Sequence, residues 1–586
     1  MKRLQGMVAI AMVVAFTAAC AAPAPGPAEV VEVTREVEKV EEREVEVTRE
    51  VEKVVTATPE ATEEEGDTTG PIDGGTVVLM MDTSPGGYHN PILTPSDYGA
   101  LVGKLIWPML WDWNEDGSDV EGDLVESWEV DDDFTGMTLH LRENAVWHDG
   151  TPITAEDVEY TIWACSHPDI ECNRGYTIRM IAGLEDSKRP PGVDSIEGVT
   201  VLDDKTLKLS FQEPRPAITV MEGLGPWFRL LPKHIMEDVP PEEFNDAEFW
   251  SNPTVGGGPF KFVEFKEDEY VELERFDDFY LGRPHIERIF IKIADPATIA
   301  AQLETGEIDM TSHVTTVPAD DLARVAALPN VRIDTGAIGT PVRVHFNCSE
   351  DRPLADQRVR QAIAYAMNRE LIVDAVLDGY GFVSNHFYLG TNSPYYEPEL
   401  DELYPYDPDK ARELLAEANW DPDTEVDLLV PTGEIIRGLA GDIVLANLTD
   451  VGIRVNYRRM EYHSLLSIVR NDRDYDMAFI RSGTGLDPEG SFSAGVHSDG
   501  AYNYSYREFP ELDAVIEDLE GTLEVEDRKP KIREIYRVLN DVRPHVMVYY
   551  PYAPNAVNTR VHNVNFITGV HGFMRNVHEW WVEPAE

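Results

Sequence analysis

The chain has 586 residues, more than one hydrophobic core usually organises, so two or three domains are expected. Its 108 acidic against 49 basic residues give a formal charge of −59, which excludes the basic footprint nucleic acid requires and disfavours docking on anionic lipid headgroups. Hydrophobic residues at 42% and aromatics at 9% are an ordinary globular composition, so the acidity reads as solubility rather than as steering of a cationic ligand.

Lys2 and Arg3 precede an apolar run over 7–19, too short to span a bilayer and suited to a signal peptide. Thr17-Ala18-Ala19-Cys20 resembles the lipobox of bacterial lipoproteins, with Thr17 in place of the usual aliphatic residue. That resemblance implies lipid attachment at Cys20 after a signal peptide over 1–20; an ordinary cleaved signal with an incidental Cys is the alternative. Residues 21–70 read as an acidic stalk in which VEVTREVEKV occurs twice, at 31–40 and 45–54. Val30, Val33, Val37, Val40, Val47, Val51 and Val54 follow coiled-coil spacing, but Val is a mediocre helix former. A solvated stalk on a monomer is therefore expected, with self-association through a coiled coil as the alternative.

The folded body starts near 74. A strand is expected at 76–81, then a loop Tyr88-His89-Asn90-Pro91 and a helix over 98–110. Asp112, Asn114, Asp116 and Asp123 nearly fit a calcium loop, but Asp stands where Glu should end it and the flanks read strand–turn–strand, so an acidic hairpin turn is preferred and no metal is expected. Strands at 127–130 and 137–141 lead to a turn at Asp149-Gly150 and a helix capped by Thr154 with Asp157. His148 has no nucleophile or acid near it in sequence and reads as a turn residue. Cys165 and Cys172 form a candidate disulfide, or with His167 between them partial zinc ligands, and Cys348 is left free. A hairpin is expected over 199–211. Gly256-Gly257-Gly258 precedes strands at 260–266 and 270–275 and lacks the Lys-Ser/Thr of a phosphate loop. A helix over 296–304 stops at Gly306, and 308–310 returns to strand.

Val342, Val344 and Phe346 alternate in a strand ending at Asn347. Asp356 is placed to cap a helix with Val359, Ile363 and Ala366 inward; Asn368 caps a second with Leu371, Ile372, Ala375 and Val376 inward, ending at Gly379. Beyond lie a helix over 405–420 entered through Asp407-Pro408, a strand at 426–431, a helix over 434–450 and strands at 455–457 and 475–480. Helices over 511–519 and 528–539 and a strand at 546–551 follow. Strands alternating with helices indicate an α/β lobe.

The stretches 342–381, 124–160 and 253–310 closely resemble the signatures of the family 5 solute-binding proteins of ABC importers, and the resemblance runs from about 74 to the C-terminus. It implies an α/β, two-lobed periplasmic-binding-protein fold of class II, of the large type with an extra subdomain and an interlobe ligand cleft. The implied domains are lobe I over 71–113, 245–341 and 552–586, the subdomain over 114–244, and lobe II over 342–551. The strand ending at Asn347 is the implied crossing between lobes, beside the cleft. Ligand contacts are implied for Tyr88, His89, Asn90, Gly257, Asn347, Tyr462, Arg481, Thr484 and Asp487.

The implied protein is an extracytoplasmic, lipid-anchored receptor that hands a small-molecule ligand to ABC permease subunits, with no cofactor and no catalysis. A peptide is the leading ligand; an oligosaccharide or metal chelate is the alternative. A secreted hydrolase would need a reactive Ser, Cys or carboxylate pair, and no such constellation stands in the sequence. Two positions depart from peptide-binding relatives. Tyr462 stands where they carry a Trp, and Thr484 where they carry the Asp that holds a peptide's α-ammonium. A hydroxyl cannot replace that carboxylate, a loss of a few kcal/mol, unless Asp487 takes the role. Arg481 offers a partner for a ligand carboxylate or phosphate, or else an ion pair within the protein.

Overall fold

The strand expected at 76–81 forms as β1 (Thr76–Met81). The computed structural model describes residues 70–86, 89–93, 97–226, 228–335, 340–432, 435–481, 483, 485–566 and 574–584. The expected signal peptide with Cys20 and the expected stalk up to residue 69 lie outside these residues, as do Tyr88 and Thr484. Helix α1 (Asp97–Ile106) ends four residues before the expected 110, because Pro108 disfavours helical geometry in the residue before it. The acidic segment forms a hairpin, β2 (Trp111–Trp113) with β3 (Val120–Gly122). Next, β4 (Val125–Val130), β5 (Gly136–Leu141), β6 (Val199–Asp203) and β7 (Thr206–Ser210) make an antiparallel sheet in the order β4-β5-β7-β6. Helix α2 (Ala155–Ser166) is entered as expected, the Thr154 N–H donating to the Asp157 carboxylate at 2.8 Å. Cys165 and Cys172 are joined in a disulfide at its end, which removes both thiolates from any zinc site.

Helix α3 (Ala217–Leu224) precedes β8 (Phe260–Lys266), β9 (Tyr270–Arg275) and β10 (Arg288–Ile293). These join β1 in a sheet ordered β1-β10-β9-β8, with β1 parallel to β10. The strand expected at 308–310 is reduced to isolated bridges at Met310, parallel with Leu79 and antiparallel with Val557. Asp309 there turns its carboxylate onto the Val78 N–H and the Arg560 guanidinium. A large apolar core runs through this half, including residues on both sides of position 114, with a smaller cluster around Ile299, Leu303 and Val325; the Trp111 ring meets Trp128 edge-on at 6.1 Å.

The second half has its own core. After β11 (Val331–Asp334) come β12 (Val342–Phe346), β13 (Gly381–Phe382), β14 (Glu425–Pro431), β15 (Arg454–Met460), β16 (Met477–Arg481) and β17 (His545–Pro551), then β18 (Asn555–Asn558). A six-stranded mixed sheet forms in the order β13-β17-β12-β16-β14-β15. Helix Gln357–Ala366 is capped by the Asp356 carboxylate and helix Arg369–Val376 by the Asn368 side chain, both as the sequence predicts. Leu371 and Ala375 do not face inward, however; the buried stripe is Arg369, Ile372, Val373 and Val376. The helix turns this way because Arg369 goes inside, donating to the Asn385 side chain at 3.0 Å and the Tyr404 carbonyl at 3.0 Å.

Two passages join the halves, β11 to β12 and β17 to β18. β11 pairs antiparallel with β18 on one side, and β12 with β17 on the other. The passages are thus pinned in register at both ends, an arrangement suited to hinge motion.

Candidate functional site

The register around β12 decides which residues meet at the hinge. Val342 lies opposite Arg481 of β16 and opposite Tyr549 of β17. The first residues of β12 and the last of β16 and β17 therefore share the edge of the sheet next to both passages. There the structure opens a cavity of about 320 Å3 whose wall includes Arg343, Tyr388, Tyr462, Arg470, Arg481 and Tyr504.

Tyr462 begins a short helix whose first N–H groups are capped by Glu461, which accepts from His463 at 2.8 Å and Ser464 at 2.9 Å. Two guanidinium groups approach its ring, Arg437 at 4.4 Å and Arg481 at 5.7 Å from the centroid. The Arg481 backbone N–H also reaches the Tyr462 hydroxyl at 3.5 Å. Arg470 donates to the Tyr504 hydroxyl at 2.9 Å. Tyr462 and Arg481 are the expected site residues that the structure brings together.

Asn347 corrects the expected crossing. The chain enters the second half at the start of β12, and Asn347 follows its last residue, about 17 Å away at the rise of an extended strand. Its amide donates to the Arg473 carbonyl at 3.1 Å and its oxygen accepts from the Ser349 hydroxyl at 2.7 Å, so its polar groups are spent inside the lobe. Gly257 is likewise a packing position: a Cβ there would meet Ile153, Pro108 and Trp147 at 3.0–3.1 Å. His148 braces the same glycines, accepting from the Gly256 N–H at 3.1 Å and donating through Nε2 to the Gly258 carbonyl at 2.9 Å. Burial pushes its pKa down to about 4, so it stays neutral while doing so.

His89 is enclosed by Phe262 at 5.1 Å and Phe265 at 6.0 Å, and burial lowers its pKa to about 4; Asn90 closes a local turn by accepting from the Ile92 N–H. Neither belongs to the wall of the hinge cavity. Asp487 is paired with the fully buried Arg528 at 2.8 Å and accepts from the Glu489 N–H, so the carboxylate expected to stand in for an Asp at 484 is committed elsewhere. In the acidic hairpin Asp112 pairs with Lys104 at 2.6 Å, Asp123 accepts from the Tyr280 hydroxyl, and Asn114 and Asp116 serve the turn around Ser118. Among the described residues no cluster of three or more His, Cys, Asp or Glu side chains is disposed to hold a metal ion. Cys348 is free and buried, and burial raises its thiol pKa to about 11.

Just past Arg481 the halves touch. Glu222 of α3 accepts from the Leu486 N–H at 3.0 Å and the Asp487 N–H at 3.3 Å, while Arg215 lies 3.8 Å from Glu489. Enclosure of the Glu222 carboxyl by this loop raises its pKa to about 7.

Sequence reasoning missed Arg343. It and His345 occupy the alternate positions of β12, yet all five residues of that strand are buried. A strand carrying Arg and His between buried valines was the available signal.

Residues 119–503 match the family described as bacterial extracellular solute-binding proteins, family 5. The chain belongs to that family. It is 26% identical over 535 residues to the oligopeptide-binding protein AppA of Bacillus subtilis, covering 87% of this chain and 92% of that one. An ABC transporter relative from Brucella ovis is 31% identical over 354 residues, and the alignment spans 61% of that relative's length and 59% of this chain. Among solved structures, the substrate-binding protein CtaP of Listeria monocytogenes superposes with a TM-score of 0.75 at 25% identity, covering 87% of this chain and 99% of the other. The fold is the two-lobed α/β fold of the periplasmic binding proteins.

Proposed function

We propose that this protein is an extracytoplasmic receptor of an ABC importer whose two halves close on a solute, a peptide in the first reading, and present it unaltered to the permease subunits. The observation that carries the reading is the cavity at the Val342 end of β12, walled by arginines and tyrosines of the second half. Closure there would strip water from a ligand and strengthen each polar contact it makes. AppA, matched over most of both chains, is named for oligopeptide binding, which favours peptides. An oligosaccharide is the second reading, favoured by the rings of Tyr388, Tyr462, Tyr502 and Tyr504 among the wall residues, since sugars stack on such rings. The N-terminal segment supports a monomer held at the outer face of the cell membrane through a lipid on Cys20, with 21–70 as its tether.

Mass spectrometry of solute released from the purified protein identifies the class directly. Peptides should appear, and re-adding them should raise the melting temperature with the logarithm of their concentration. Turnover of the released solute by the purified protein would refute the receptor reading.

A further inference from the structure

Arg343 is 5% exposed, and its Nε and Nη1 have no hydrogen-bond partner. Its guanidinium lies over the Tyr388 ring at 4.7 Å, and no carboxylate among the described residues comes within ion-pair distance of it. Behind it His345 and His545 pack with ring centroids 5.0 Å apart. Burial, reinforced by the charge of Arg343, holds both far below their ordinary pKa and therefore neutral. Neither histidine carries a charge that could balance the guanidinium. In front lies the cavity, where every charged side chain among the described wall residues is an arginine: Arg343, Arg470 and Arg481. That is a sharp local reversal in a chain with 108 acidic and 49 basic residues. The reversal extends outward. A neighbouring hollow of about 460 Å3 shares Arg470, Tyr502 and Tyr504, and adds Arg473 and Arg507 against one carboxylate, Glu508. A basic path leading to a desolvated cation concentrates anions.

Burying an unpaired guanidinium is costly, and a charge-assisted bond to an oxyanion offsets that cost well. We propose that Arg343 anchors an oxyanion subsite, so that the cavity takes solutes bearing a carboxylate or a phosphate. This rests on the receptor reading above and names its substrate class. Recognition then begins at the anionic end of the solute. That agrees with Asp487, the remaining candidate to hold an α-ammonium, being occupied by Arg528.

The test uses the full-length protein, freed of bound solute by washing in mild denaturant and refolding. Thermal shift and calorimetry compare two pairs: a tripeptide pool with free C-termini against the same pool amidated, and glucose 6-phosphate against glucose. The charged member of at least one pair should bind tenfold or more tightly than its neutral counterpart, and which pair responds tells carboxylate from phosphate. Arg343→Met should abolish that preference while leaving the ligand-free melting temperature unchanged or higher; Arg343→Lys should keep part of it. A purely structural arginine would instead lower the melting temperature on replacement. The comparison in the unmodified protein stands even if a variant fails to fold. Equal binding of charged and neutral members overturns the subsite and leaves the receptor reading standing. A preference that survives in Arg343→Met overturns the assignment to Arg343. Binding of none of the four probes overturns the peptide and sugar readings together with the subsite.

Discussion

The two ends of β12 lie only a few residues apart and differ in one respect that decides function. At the Asn347 end the Asn347 amide is used by the polypeptide itself, bonded within the lobe. Nearby, Arg360, 1% exposed, makes five hydrogen bonds to backbone carbonyls. At the Val342 end Arg343 is nearly as buried and its Nε and Nη1 stay unpaired beside a cavity. Burial of a charge is common to both. What separates a structural arginine from one suited to a ligand is whether the chain supplies the partners.

Breaking the satisfied end should cost the most. Arg360→Met strands those carbonyls, and a loss of about 3 kcal/mol or more in unfolding free energy is expected from denaturant melts, with ligand affinity per folded molecule unchanged. A smaller loss is expected at Gly257, a site the sequence associates with ligand and the structure with packing. Gly257→Ala forces a methyl against Pro108 and Trp147 and should cost about 1–3 kcal/mol by the same melts, again without changing affinity. If affinity falls instead, the contrast between the two regions is drawn in the wrong place.

At the cavity the signs reverse. Tyr462→Ala removes the ring that Arg437 and Arg481 approach and should weaken ligand binding by about 1–2 kcal/mol in calorimetry, with little change in melting temperature. Tyr462→Phe should bind nearly as well, since the ring face is kept.

The smallest effect concerns the touching loops. The folded pKa of Glu222, about 7, lies above its ordinary value of 4.5, so the folded state holds its proton more tightly. Its contribution is fully present below about pH 4.5 and declines as pH rises toward 7. Glu222→Gln should flatten that part of the stability profile, measured as melting temperature against pH.

Much of the fold was legible because its signals are local. Asp356, Asn368 and Asp407 each cap a helix by reaching an N–H two or three residues on, and such distances are written in the sequence. The strands at 260–266 and 270–275 form with the expected bounds. Leu371 was misread because apolar periodicity alone takes the leucine inward, whereas Arg369 finds acceptors near 385 and 404.

By itself the sequence determined the order of elements, their caps and the family, since these follow from side-chain period and neighbours a few residues away. Only the tertiary structure decided which end of β12 faces the hinge. That depends on β16 and β17 arriving more than a hundred residues later, in a register that sets Arg481 and Tyr549 opposite Val342. It decided too that Arg343 is buried beside neutral histidines rather than beside an acid. A residue's charge is local information, but its countercharge is a matter of what the rest of the chain brings near.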